Sequence, residues 1–229
     1  MESKINTGCK AFDEFLNGGF ELGVVSMIYG GAGTGKTNIC MITADNLAQN
    51  GIKSIYIDSE GGFSIDRLGQ ISKNPEKSLN NIVFLKPGTF KEQHKIINEL
   101  SDNLNESIGL IIIDTISMLY RLEIGKSNDF YEINRMLGKQ IMTCSRIARN
   151  FNIPVLITNQ VYSDVEKKGK IKLVGGDLLK YGTKCLIELV KPENGKPGER
   201  IAILRKHRSI REDKSMKFEI CENGIRELR

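Results

Sequence analysis

The chain contains no tryptophan, two histidines and five prolines, and aromatic residues make up only 7% of it. His94 and His207 are too few and too far apart in sequence to suggest a histidine-built metal cluster. With so few rings there is no interleaved aromatic ladder for stacking bases. Any nucleic-acid contact should therefore run through backbone phosphates with weak sequence preference. The cysteines (Cys9, Cys40, Cys144, Cys185, Cys221) form no C-x-x-C pair and lie mostly in apolar runs. They read as reduced, buried thiols, not as disulfides or metal ligands. No apolar run reaches the ~20 residues needed to span a bilayer, and Met1-Glu2-Ser3-Lys4-Ile5-Asn6 is not a secretory signal. A cytoplasmic location without a membrane partner is the expectation. Internal repeats, low-complexity segments and Pro/Ser-rich linkers are also missing, so residues 1–229 are read as one domain.

What is there is a globular composition, 40% hydrophobic and 27% charged, with a net charge of +5 that permits an anionic partner without requiring one. Strand-like apolar runs at 24–29, 53–58, 81–85, 110–114 and 154–159 are mostly separated by helical patterns at about 36–50, 89–106 and 128–151. This alternation predicts an α/β fold with a mostly parallel sheet. Leu110-Ile111-Ile112-Ile113 is apolar at every position, as a strand covered on both faces should be. Beyond residue 160, short strands at 184–190, 200–205 and 216–220 predict a strand-rich extension of the same sheet. Pro192 to Gly198 would serve as a hairpin connection.

Gly30-Gly31-Ala32-Gly33-Thr34-Gly35-Lys36-Thr37 fits the phosphate-loop pattern G-x-x-x-x-G-K-[ST], between a predicted strand and a predicted helix. Glycines allow a tight turn that aims several N–H groups at one concavity, and the following helix N-terminus adds partial positive charge there. Lys36 is expected to reach the β- and γ-phosphates and the Thr37 hydroxyl to hold Mg²⁺. Asp114 closes the strand 110–114, at the sheet edge where ligands bind in open parallel sheets. A carboxylate there can orient Mg²⁺ through its waters, although aspartate also ends strands for purely local reasons.

Asp58-Ser59-Glu60-Gly61-Gly62-Phe63 should lie at the same edge, and Glu60 suits the carboxylate that accepts a proton from attacking water; a solvated turn residue would look the same. Asn159-Gln160 ends another strand, where an amide can donate to a γ-phosphate without adding charge, or simply bind a loop. Lys167, Lys168, Lys170 and Lys172 follow in a predicted loop, placed for salt-sensitive phosphate contacts with DNA, although an ordinary solvated loop is often as rich in lysine. Arg205-Lys206-His207-Arg208 with Arg211 forms a second basic cluster, read as a subunit or nucleotide contact before DNA.

In order along the chain, Gly8 to Gly19, the phosphate loop, Tyr56 to Phe63, Leu110 to Asp114, Leu119-Tyr120-Arg121 and Ile157-Thr158-Asn159-Gln160-Val161 resemble a RecA-type recombinase core. The wording is similar to the archaeal and eukaryotic branch over roughly residues 4–225. The resemblance implies a RecA-like P-loop fold, ATP as nucleotide, Glu60 as the residue that activates water and Gln160 as the γ-phosphate sensor. It also implies that Arg67 lies near the adenine. Residues 121–129, which hold Arg121 and Lys126, and 161–175 would be the two DNA-binding loops.

The chain departs from full recombinases in carrying no helical domain ahead of the core, a shorter 161–175 loop, and the basic Lys206 and Arg208 where those proteins place an acidic cap over a neighbour's ATP. The expectation is a weak Mg²⁺-dependent ATPase that binds single-stranded or branched DNA, works beside the main recombinase and a Holliday-junction resolvase, and self-associates, with little strand exchange of its own. Two other readings stay open: an active strand-exchange recombinase, and a regulatory ATPase of the circadian-clock type acting on proteins. The latter tend to carry paired glutamates where this chain has Ser59-Glu60.

Overall fold

The computed structural model describes residues 3–126, 129–163 and 171–228, apart from the side chains of residues 163 and 171. The chain opens with β1 (Lys4–Ile5), α1 (Lys10–Phe15) and β2 (Phe20–Glu21), then forms β3 (Val25–Gly30) and α2 (Lys36–Gln49). Next come β4 (Lys53–Asp58), α3 (Ile65–Ile71), α4 (Pro75–Asn81), β5 (Ile82–Leu85), α5 (Phe90–Asn103), β6 (Ile108–Asp114), α6 (Met118–Ile124), α7 (Phe130–Phe151) and β7 (Val155–Asn159). The last part contains β8 (Val161–Ser163), β9 (Ile171–Leu173), α8 (Gly176–Gly182), β10 (Cys185–Val190), β11 (Glu199–Lys206), β12 (Ser215–Cys221) and β13 (Gly224–Leu228).

Nine strands form one sheet in the order β13-β12-β11-β10-β3-β7-β6-β4-β5. From β10 to β5 every neighbouring pair is parallel, whereas β10-β11, β11-β12 and β12-β13 are antiparallel. The expected extension of the sheet is therefore present, and residues 191–198 make its first turn.

The apolar run in β6 divides between two cores. Ile111 and Ile113 pack in the layer with α5 and α7 residues such as Ile97, Leu137 and Ile141. Leu110 and Ile112 pack on the opposite face with Ile39 and Leu47 of α2. Alternation along one strand thus fills both layers.

Several elements differ from expectation. The helix expected over 89–106 stops at Asn103, and the one expected from 128 starts at Phe130. Short helices α3 and α4 lack a long amphipathic repeat, and local chemistry starts them. The Ser64 hydroxyl accepts from Arg67 N at 3.2 Å, and Asn74 Oδ1 accepts from Lys77 N at 3.1 Å, with Pro75 in the first turn. Residues 161–163 and 171–173 pair as an antiparallel ladder, so Lys172 lies on β9 and not in a loop. Arg121 lies within α6, so helix replaces the first part of the expected 121–129 loop. Four cysteines are buried and Cys221 is half-buried; all five are free thiols.

Candidate nucleotide site

The phosphate loop joins β3 to α2 at the C-terminal edge of the parallel strands. A Cβ on Gly30 would stand 2.2 Å from the Leu189 carbonyl oxygen, so glycine is what lets β10 pack beside the loop. Gly35, in the left-handed region at φ 102°, caps the start of α2. Thr34 Oγ1 donates to Gly31 O at 2.9 Å. Lys36 Nζ curls inward and donates to the carbonyls of Gly30 and Gly31, both at 3.0 Å. Burial pushes this ammonium below the ordinary lysine range, while Glu60 and Asp114 act in the opposite direction.

Asp114 is buried at the end of β6. One of its carboxylate oxygens accepts from Thr37 Oγ1 and from the Tyr56 hydroxyl, both at 2.8 Å, and the other from Thr158 Oγ1. A buried carboxylate needs such donors, each worth about 1.5–3 kcal/mol to a charged acceptor. Tyr56 and Thr158, on the strands flanking β6, were not singled out from sequence. Their signal is positional, since both sit near strand ends beside the strand that ends in Asp114.

The turn after β4 is folded by Asp58, whose carboxylate accepts from the N–H groups of Gly61, Gly62 and Phe63 at 2.8, 3.1 and 3.3 Å. Ser59 ties the same turn to β6 through Ser59 N to Asp114 O at 3.0 Å and Thr115 N to Ser59 Oγ at 3.0 Å. Glu60 is thereby held at the cleft, and its Oε1 accepts from Gln160 Nε2 at 2.7 Å. Burial raises the Glu60 carboxyl above the usual range, and Asp114 adds to the rise; Lys36 and the Gln160 hydrogen bond pull it down. The phosphate loop, Asn38, Glu60, Gly62 and Gln160 line a cleft of about 390 Å³. A further cation missed in sequence is Arg200 on β11, whose Nε and Nη2 donate to Gly33 O at 3.0 and 2.8 Å.

Arg67 stands beside the cleft as a strut. It donates to Asn38 Oδ1 at 2.7 Å and to the carbonyls of Glu222 and Cys221 at 2.7 and 2.8 Å. These bonds tie α2 and α3 to the β12–β13 turn, whatever else Arg67 contacts. Arg67→Ala is expected to cost about 1–2 kcal/mol of stability and to lower the Tm by roughly 2–8 °C, read by thermal melting. A melting curve superimposable on the parent would contradict the strut.

Gln160 also connects the cleft to the β8–β9 hairpin, because Val174 N donates to Gln160 O at 3.2 Å and Asn159 Nδ2 donates to Val174 O at 2.9 Å. Lys172 is exposed on this hairpin, while Lys167, Lys168 and Lys170 lie outside the described residues. Lys126 is exposed just beyond α6. The basic pair expected to meet a neighbour is engaged within the chain. Lys206 Nζ donates to the carbonyls of Lys180 and Thr183 at 3.0 and 2.8 Å, and Arg208 pairs with Glu21 at 2.7 Å.

Among the described residues there is no group of three or more His, Cys, Asp or Glu placed to hold a metal, and no helix is long and apolar enough to cross a membrane. A hard cation would instead find the Thr37 hydroxyl and the Asp114 carboxylate, oxygen donors of the kind Mg²⁺ accepts beside its own waters.

A model of the Rad51 family matches residues 2–228. The chain is 43% identical over 215 residues to a protein of Methanococcus maripaludis strain C7 named DNA repair and recombination protein RadB, covering 93% of this chain and 96% of that one. A protein of the same name from Methanococcoides burtonii is 39% identical over 227 residues, covering 99% of each chain. Among solved structures it is similar to one titled Crystal structure of the RadB recombinase, with a TM-score of 0.82, 35% identity, and coverage of 98% of this chain and 100% of that one. The architecture is RecA-like, and the chain belongs to the Rad51 family.

Proposed function

We propose that this chain binds ATP with Mg²⁺ in the cleft, hydrolyses it slowly, and acts on DNA in repair and recombination as a mediator or regulator of a strand-exchanging recombinase. The observation that carries the reading is the Glu60 carboxylate, held by Gln160 at 2.7 Å beside a complete phosphate loop. The names of its relatives, DNA repair and recombination protein RadB, support the biological setting. In this reading residues 1–229 work as one cytoplasmic unit, and a Holliday-junction resolvase and further copies of the chain are additional partners.

When bound, Mg²⁺ would supply positive charge that offsets the charge developing on the phosphates. Thr37 would hold the ion directly and Asp114 would orient its waters. The phosphate-loop N–H groups and Lys36 cradle the β- and γ-phosphates. Glu60 takes the proton of the attacking water, and Gln160 aims its carboxylate. Because the Gln160 amide donates to Glu60 while its backbone binds Val174, a γ-phosphate that captures the amide would pull on the base of the β8–β9 hairpin.

The DNA part of the reading is tested by replacing Lys167, Lys168, Lys170 and Lys172 together with alanine. Fluorescence anisotropy with a labelled single strand should show weaker binding and a log K against log [salt] slope reduced by about three, at roughly 0.7 for each phosphate no longer neutralised. An unchanged slope removes these four lysines from the DNA-binding surface. Robust strand exchange by the chain alone would sink the mediator reading.

A further inference from the structure

Across the sheet from the phosphate loop, an open groove of about 920 Å³ lies between α5, α7 and the residues leading into β10, with Gly23 to Val25 also lining it. β3 runs about 17 Å from those residues to the phosphate loop, so the groove is separate from the nucleotide cleft. Lys139, Arg146 and Arg149 of α7, Lys184 and Arg208 line it, and no carboxylate does. Glu21 neutralises Arg208 at 2.7 Å.

The other four cations are exposed and, among the described residues, make no ion pair. Arg146 donates to the Ser101 hydroxyl at 2.8 Å and Arg149 to the Ser145 carbonyl at 3.1 Å, both neutral acceptors. Positions 139, 146 and 149 share one face of α7 over about 15 Å. A solvated helix face usually mixes the two signs of charge, which lowers self-repulsion. Glu132, a heptad before Lys139, is paired with Arg135, and from 139 to 149 the charged residues of α7 are of a single sign, as on a surface for a polyanion.

Tyr181, 70% exposed, stands among these cations. An exposed ring that shares a groove with several cations suits an unpaired base between phosphate contacts.

We propose that this groove is a second binding surface for single-stranded DNA, with Lys139, Arg146, Arg149 and Lys184 meeting phosphates and Tyr181 stacking on a base. It rests on the reading that the chain acts on DNA. It differs from the hairpin surface in lying away from Glu60 and Gln160, so the bound nucleotide does not gate it.

The test uses the full chain and two variants with exposed substitutions, one carrying Lys139→Gln, Arg146→Gln, Arg149→Gln and Lys184→Gln together, the other Tyr181→Ala. Binding of labelled oligothymidylate is titrated at several salt concentrations, with and without ATP. The fourfold variant should show a salt slope smaller by about three, at roughly 0.7 per phosphate, and the reduction should be equal in both nucleotide conditions. Tyr181→Ala should weaken single-strand binding about fivefold or more and leave duplex binding unchanged. A fourfold variant that binds as tightly and with the same slope as the parent overturns the groove. So does one that keeps DNA binding and no longer binds polyglutamate, which would make the groove a site for an acidic protein. No DNA binding by the parent would sink the DNA reading itself.

Discussion

Lys36→Ala is expected to weaken ATP binding about a hundredfold or more, while the protein stays folded. Truncating one partner of a buried, hydrogen-bonded charge pair costs about 2–5 kcal/mol, which is roughly 30-fold to several-thousand-fold in affinity. Lys36 meets that description once a phosphate is its partner, being buried with its ammonium inside the loop at 3.0 Å from two carbonyls. Its flexible stem can swing the charge from those carbonyls to a phosphate, whereas Lys191, the other ammonium near the loop, stands beside Gly33 and not between the Gly30 and Gly31 carbonyls. Arg200 is committed to Gly33 O on the outside of the loop. Titration calorimetry with ATP and Mg²⁺ measures the effect, with a thermal melt to establish that the variant is folded. Unchanged ATP affinity would contradict the site.

Glu60→Gln is expected to leave ATP binding near the parent value and to cut turnover about 10²–10⁴-fold, the usual contribution of a positioned general base. The change is isosteric, and it removes the negative charge of the carboxylate and with it the ability to take a proton. The pH profile checks the same residue. A base works as its carboxylate, so turnover should hold above the Glu60 pKa and fall as the pH drops through it. Burial places that fall above the ordinary glutamate range. The Gln160 hydrogen bond stabilises the carboxylate and lowers its pKa, so Gln160→Ala should move the acid limb to higher pH. An acid limb that stays in place in Gln160→Ala would separate the two residues, and normal hydrolysis by Glu60→Gln would remove Glu60 from the chemistry.

What could be read from the sequence follows how far each signal reaches along the chain. The phosphate loop, the double-sided strand 108–114 and the long helix 130–151 are carried by contiguous patterns, so their existence and type were legible. The partners of Asp114 were not. Tyr56 and Thr158 reach it from β4 and β7, and that pairing exists only once the sheet order is set. Arg200 is likewise 167 residues from the Gly33 carbonyl it caps. The 161–175 segment reads as loop because the strands of its one described ladder are only three residues long, and Val174 bonds back to Gln160 beside them. Lys206 and Arg208 read as free basic residues because their acceptors, the carbonyls of Lys180 and Thr183 and the Glu21 carboxylate, come from other segments.

The most direct test is phosphate release from ATP by the purified chain, with Mg²⁺ or with EDTA, and with or without single-stranded DNA. Slow turnover that requires Mg²⁺ and that DNA raises little is the predicted result. Fast turnover strongly stimulated by DNA would contradict the mediator reading, and turnover indifferent to EDTA would contradict the assignment of Thr37 and Asp114 to the metal.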